Sequence, residues 1–424
     1  MVFKNVRKKI LSGFGSSLEW FDFAFYGYMG PVIAKVFFID QAYLSSLIST
    51  YLVFAIGFLA RPLGGVIFGY IGDKYGRLQA LRLTPICITI STASIALLPS
   101  YQSIGFPAII FLVILRFTQG IFLGGEYAGN IIYLCEASNK QHYLWGSVGS
   151  ATASFGIILA SATSYLLYNI FDLTSLINYG WRIGFLFSIP IGIFVYRLRT
   201  NMQENTYDST CKNSTLLENH NPLKIIALSK KLFAIRCFGL TLHHAVSFYF
   251  VFMYLPILIL KARNLPEASS LLNNTIFLIL HATCIPMLGL VVNKVGGRNS
   301  LVLSCLALIL VTQPVYYLIL HGSRLSVYIS LAILSLITAF NAAIIPGLLS
   351  AIIPYSIRYT LLALVLNISF GVLGGLTTAI CLFLSKLDNY FLSPPNFVIL
   401  FSIITLFFSF SINIWNGNEK IRRL

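Results

Sequence analysis

Residues Gly57–Arg77 read GFLARPLGGVIFGYIGDKYGR. The stretch opens as an apolar, glycine-rich helix with one arginine, Arg61, inside it. It closes in a compact charged turn of Asp73, Lys74, Gly76 and Arg77. An arginine at membrane depth is costly and marks a functional position by default. A charged glycine turn directly after the apolar run places the end of the helix in water. A polar group inside a span and a tight turn at its aqueous end are what a carrier of polar solutes requires.

The rest of the chain agrees with a membrane setting. Of its 424 residues 57% are hydrophobic and only 10% charged, and apolar runs long enough to cross a bilayer recur throughout. The composition predicts an all-α membrane protein, without a cleavable leader. Seven cysteines lie scattered, mostly within apolar runs and without metal spacing, and read as small buried residues.

Twelve candidate spans are predicted, at about 14–37, 46–71, 80–98, 105–127, 146–168, 181–198, 232–257, 272–293, 300–320, 326–349, 358–384 and 396–416. With twelve crossings both termini share one side. On that side fall 21 of the 29 lysines and arginines, while Arg61 and Arg116 are embedded in spans. The asymmetry predicts cytosolic termini. It also accounts for the formal charge of +16 without a nucleic-acid partner.

The longest polar stretch, 200–229, falls mid-chain and reads as a cytosolic linker. It separates a first six-helix bundle, 1–199, from a second, 230–416, with a cytosolic tail over 417–424. The halves echo one another. Gly69-Tyr-Ile-Gly-Asp73-Lys74-Tyr-Gly76-Arg77 has a counterpart 220 residues later in Gly289-Leu-Val-Val-Asn293-Lys294-Val-Gly296-Gly297-Arg298, with one residue gained before the arginine. Such repeats place a substrate site between the halves, near the bilayer midplane.

Arg61-Pro62 followed by Gly72-Asp73-Lys74-Tyr-Gly76-Arg77 resembles the second-helix signature of the major facilitator superfamily. Arg116-Phe-Thr-Gln119-Gly120 resembles that superfamily's fourth-helix pattern. With Glu19-Trp20-Phe21-Asp22-Phe23, Tyr26-Gly27 and Ile353-Pro354, the likeness is to its metabolite:proton symporters, which carry proline/betaine, α-ketoglutarate, citrate or shikimate. The resemblance implies a bacterial inner (plasma) membrane carrier, working as a monomer on a small-molecule substrate and protons, with no cofactor or metal. It also implies a cytosolic latch in Asp73, Lys74, Gly76 and Arg77, meeting the second bundle near Arg358. Departures fall on gate elements: Asn293 stands at an aspartate position, and Ala351 where an acidic residue is common.

Glu19 and Asp22 are three apart, and Tyr26 follows four later, so the three share a helix face. Two charged carboxylates on one face inside a membrane are unfavourable, so one is expected to hold a proton near neutral pH. The plainer alternative has Glu19 at the cytosolic interface, paired with Lys8 or Lys9. Arg116 and Gln119 share a face of the fourth span. Arg116 is expected to pair with Asp22 or Glu19, or with a substrate carboxylate. For Arg61, a structural pair with a facing polar group stands level with substrate contact. Glu126, near the cytosolic end of the fourth span, is expected to serve the gate.

His243, His244 and His281 read as hydrogen-bonded packing residues ahead of titrating ones. Asn341 and Asn367 are candidates to line the cavity from the second half. Cavity aromatics such as Trp20 or Tyr26 suit a quaternary ammonium. The leading expectation is proton-coupled import of a proline/betaine-like osmolyte. The alternatives are a di- or tricarboxylate symporter, or a degenerate binding protein with a transporter fold. No nucleophile–base, metal-ligand or phosphate-loop pattern points to an enzyme.

Overall fold

The computed structural model describes residues 15–65, 67–68, 77–124, 126–136, 141–200, 230–263, 266–354, 357–387 and 393–410. Among these the ordered elements are helices. Nine helical runs among the described residues are long and apolar enough to cross a membrane: Tyr43–Gly65, Phe106–Ile132, His142–Ile170, Leu173–Leu198, Lys231–Arg263, Ala268–Val295, Gly297–His321, Arg324–Ile352 and Arg358–Leu384. Arg82–Ala96 and Pro394–Phe410 are shorter apolar helices.

The predicted first span is divided. α1 (Gly15–Tyr28) stops at Met29, and α2 (Gly30–Phe37) starts afresh with Pro31 in its first turn. Proline suits a helix start, because the N–H it lacks would have no intrahelical partner there. α3 (Tyr43–Leu59) continues helically past Ala60 through Arg61 to Gly65. α4 (Arg77–Ala96), α5 (Phe106–Leu123), α6 (Glu126–Glu136), α7 (His142–Ile170), α8 (Trp181–Leu186) and α9 (Ser188–Thr200) follow. Beyond the polar stretch come α10 (Lys231–Tyr249), α11 (Leu255–Arg263), α12 (Glu267–Val295), α13 (Gly297–His321) and α14 (Arg324–Ile352). The chain closes with α15 (Arg358–Leu366), α16 (Gly375–Leu384) and α17 (Pro394–Phe410).

In the second half two π-helical segments interrupt this pattern, Phe250–Tyr254 between α10 and α11 and Asn367–Gly374 between α15 and α16; a third, Leu176–Gly180, leads into α8. Wide turns of this kind collect at functional sites. Gly296, at φ 91° between α12 and α13, supplies the left-handed turn of the repeated Lys294-Val-Gly296-Gly297-Arg298 motif.

α3 packs on α5, α4 on α5 and α9, and α1 on α7. In the second half α14 takes α12 and α13, and α17 lies against α10 and α13. Two seams join these groups: α7 against α12 and α14, and α3 against α16 and the π segment before it. Hydrogen bonds stitch the first seam. Ser150 Oγ donates to the Ala342 carbonyl at 2.9 Å, and Thr275 Oγ1 donates to Ser161 Oγ at 2.8 Å. Leu97, Leu310 and Phe407 are more than 70% exposed on the outside, as side chains that face lipid should be. By contrast, Lys231–Arg263 and Arg358–Leu384 are 67% buried over their apolar windows, against 33% for Gly297–His321. The two helices of the second half that carry π segments are therefore central ones.

α3 and α5 cross at backbone distance. A Cβ at Gly120 would stand 1.7 Å from the Gly57 carbonyl oxygen, and one at Gly64 1.7 Å from that of Ile121. Helices in a bilayer associate through small residues that allow this approach. The glycines of Gly57–Gly65 thus serve to press the helix carrying Arg61 against the one carrying Arg116.

Candidate functional site

α1 presents two carboxylates to two different neighbours. Glu19 forms an ion pair with Arg61 on the continuation of α3, both almost fully buried. Rings surround the Arg61 guanidinium: Phe58, Phe23 and Trp20 lie 5.4, 5.8 and 6.0 Å from it, centroid to carbon. Such contacts help to hold a desolvated cation. The expected partners change accordingly. Glu19 is paired with Arg61, where the sequence offered Arg116 or a lysine before the first span. Lys8 and Lys9 lie outside the described residues.

Asp22, three residues on, faces α4 and α5. Its Oδ2 accepts from Thr92 Oγ1 at 2.7 Å. Gln119 Nε2 donates to the same hydroxyl at 2.7 Å, and Arg116 Nη1 donates to Gln119 Oε1 at 2.6 Å. Arg116 is therefore linked to Asp22 through two neutral side chains instead of the direct pair expected. Every member of this chain is fully buried. Asp22 Oδ1 and Arg116 Nε and Nη2 have no protein partner. The Arg116 guanidinium lies 4.2 Å from the Tyr26 ring and 4.4 Å from the Phe23 ring. Tyr26 thus belongs to the site through its face, while its hydroxyl donates to the Thr50 carbonyl at 3.4 Å.

Thr92 joins the two charged ends and was not singled out in the sequence. A threonine within Ser91-Thr92-Ala93-Ser94 has nothing in type or spacing to separate it from its neighbours.

The second half contributes polar groups of another kind. Asn367 Nδ2 donates to the Gly124 carbonyl at 2.7 Å, tying the π segment to the end of α5. Asn341 Nδ2 donates to Ser247 Oγ at 3.3 Å within its own half. His243 Nε2 meets Ser304 Oγ at 3.3 Å, and His281 Nδ1 meets Thr338 Oγ1 at 3.2 Å. His244 lies 4.9 Å from Phe370, ring centre to ring centre. Of the expected gate, Asp73, Lys74 and Gly76 lie outside the described residues, as do the side chains of Arg77 and Glu126. Arg358 Nε donates to the Ile353 carbonyl at 3.1 Å at the start of α15. No group of three or more His, Cys, Asp or Glu side chains fit to hold a metal occurs among the described residues.

The sequence profile of the Major Facilitator Superfamily matches residues 12–379. The chain belongs to this superfamily. Curated relatives within it include a putative proline/betaine transporter of Staphylococcus aureus (strain COL), 31% identical over 406 residues. That match covers 95% of this chain and 87% of the relative. The proline/betaine transporter of Escherichia coli (strain K12) is 30% identical over 414 residues, covering 95% and 82%. Among solved structures, a D-xylose-proton symporter superposes with a TM-score of 0.73 at 17% identity, over 95% of both chains. A proton:xylose symporter bound to 6-bromo-6-deoxy-D-glucose gives 0.75 at 15% identity, over 95% and 94%. At that identity the structural likeness speaks for the fold, and the protein is a multi-pass membrane transporter of small molecules.

Proposed function

We propose that this chain is a proton-coupled importer of a small zwitterion of the proline/betaine type. It works by alternating access of two six-helix bundles, 1–199 and 230–416, with linker 200–229, tail 417–424 and both termini in the cytosol of a bacterial inner membrane. In this reading α1 with α2, α4 and α17 cross together with the nine longer runs, to give twelve spans in a monomer.

The observation that carries the reading is the buried Glu19–Arg61 ion pair. A buried pair is close to neutral for stability, whereas a buried charge that has lost its partner is strongly destabilising. An incoming substrate carboxylate can take over Arg61 while Glu19 takes a proton. The guanidinium then stays paired throughout, so proton and substrate enter together. Asp22, held by one hydroxyl and linked to Arg116 through Gln119, offers a second protonatable group one helical turn away. The names of the relatives support proline or betaine as the class of substrate.

Uptake into proteoliposomes under an imposed proton gradient tests this reading, with labelled proline, betaine, α-ketoglutarate and citrate in competition. Accumulation of proline or betaine that collapses with the gradient is expected. Asp22→Asn and Arg116→Ala should each remove that accumulation while the protein remains in the membrane. Binding without accumulation by the unaltered chain would sink the importer reading, and preference for citrate or α-ketoglutarate would replace the zwitterion by a carboxylate.

A further inference from the structure

Trp20 occupies a position that the ion pair beside it leaves unexplained. Its indole is 95% buried, yet its Nε1–H has no hydrogen-bond partner. Three rings approach it, each near perpendicular: Tyr127 of α6 at 5.5 Å and 79°, Phe370 at 6.2 Å and 84°, and Phe248 of α10 at 6.5 Å and 70°. Trp20 and Tyr127 precede the central polar stretch, whereas Phe248 and Phe370 follow it. The cluster therefore lies where the two halves of the chain meet, and it comes apart into two aromatic walls when they separate.

We infer that Trp20, Tyr127, Phe248 and Phe370 form the seat for the cationic pole of the substrate and select for a nitrogen bearing methyl groups in place of hydrogens. The inference rests on the zwitterion reading of the Glu19–Arg61 pair and extends it to the other end of the ligand. Perpendicular rings offer π faces in several directions, and a face attracts a cation. Aromatic faces do not replace the hydrogen bonds that an N–H group makes to water. A primary ammonium entering the seat leaves three such bonds behind, and a trimethylated nitrogen leaves none. The carboxylate nearest in sequence, Glu19, is paired with Arg61 in the empty carrier and, on that reading, protonated once the substrate carboxylate takes the arginine, so it offers the cationic pole no charge. The Arg61 guanidinium carbon lies 6.0 Å from the Trp20 ring centroid, so one small zwitterion can place its carboxylate on Arg61 and its methylated nitrogen among the rings.

Equilibrium binding to the purified full chain in detergent tests the seat without requiring transport. The probes are glycine, N-methylglycine, N,N-dimethylglycine and N,N,N-trimethylglycine. Affinity is expected to rise with each methyl, by roughly 30-fold across the series, the equivalent of about 2 kcal/mol for a desolvated cation–π contact. Trp20→Phe should keep the order. Trp20→Leu should flatten it, weakening trimethylglycine at least about tenfold while changing N-methylglycine little. Phe370→Leu, from the other half, should act in the same direction and stands in should Trp20→Leu fail to fold. Equal binding of all four probes by the unaltered chain, or a methylation order that survives in both leucine variants, would overturn the inference. Intact ordering without proteoliposome accumulation would instead remove the importer reading and leave the seat in place.

Discussion

Replacing Arg61 by alanine is expected to lower gradient-driven uptake by more than about 100-fold and to destabilise the folded protein by about 3–5 kcal/mol. Both effects have one origin. Glu19 is almost fully buried, and Arg61 is its ion-pair partner, so the variant leaves a carboxylate in a low-dielectric interior without its cation. The two effects separate in a double variant. Glu19→Leu with Arg61→Met removes both charges and keeps apolar bulk, a change that is neutral or stabilising for many buried pairs. It should therefore regain the melting temperature of the parent while uptake stays lost. A double variant that melts as low as Arg61→Ala would show that packing, and not the unpaired charge, sets the stability. Full uptake by Arg61→Ala would remove Arg61 from the transport site.

The second large effect falls on a residue with no polar chemistry. Gly120→Ala places a methyl 1.7 Å from the Gly57 carbonyl oxygen, with the Gly57 carbonyl carbon at 2.7 Å and the Ala60 Cβ at 3.0 Å, which leaves it nowhere to go. α3 and α5 must move apart, at a cost of at least the about 1–3 kcal/mol typical of an overpacked core. That movement also displaces Arg61 relative to Arg116 and Gln119. Loss of thermal stability together with uptake is expected. Gly65→Ala on the facing helix α3 is the control, since its nearest neighbour would be the Gly124 carbonyl oxygen at 3.4 Å, an ordinary contact. Equal melting temperatures for the two variants would show that the crossing tolerates a side chain.

The spans were legible wherever apolar length alone decides. The predicted eleventh span, 358–384, coincides with the helical run Arg358–Leu384, and the predicted fifth, 146–168, lies within His142–Ile170. The break at Met29 was not foreseen, because Gly27 and Gly30-Pro31 sit inside a continuous apolar run that hydropathy cannot divide. The π segments left no signal either, since an i→i+5 turn shifts periodicity by one residue in helices that are apolar nearly all round.

For the site, rare charges within apolar runs picked out Glu19, Asp22, Arg61 and Arg116, and these are the only buried acidic or arginine side chains described. Spacing along one helix gave the face each occupies. It could not say which residue on another helix faces it. Arg61 therefore stood level between two roles and has proved to be the partner of Glu19, whereas Arg116 reaches Asp22 through Gln119 and Thr92.

Those four buried groups, two acidic and two basic, sum formally to zero. On the proposed cycle an empty carrier then turns from one side to the other without moving net charge through the membrane potential. The carrier loaded with a neutral zwitterion and one proton moves a single positive charge, worth about 2.3 kcal/mol for each 100 mV. Voltage thus acts on the loaded half of the cycle alone. An inside-negative potential should speed net uptake and also alter exchange between labelled and unlabelled substrate when both sides are saturated, because exchange uses only the loaded carrier. Voltage-driven net uptake beside exchange that is indifferent to voltage would show that the charge moves on the empty carrier instead.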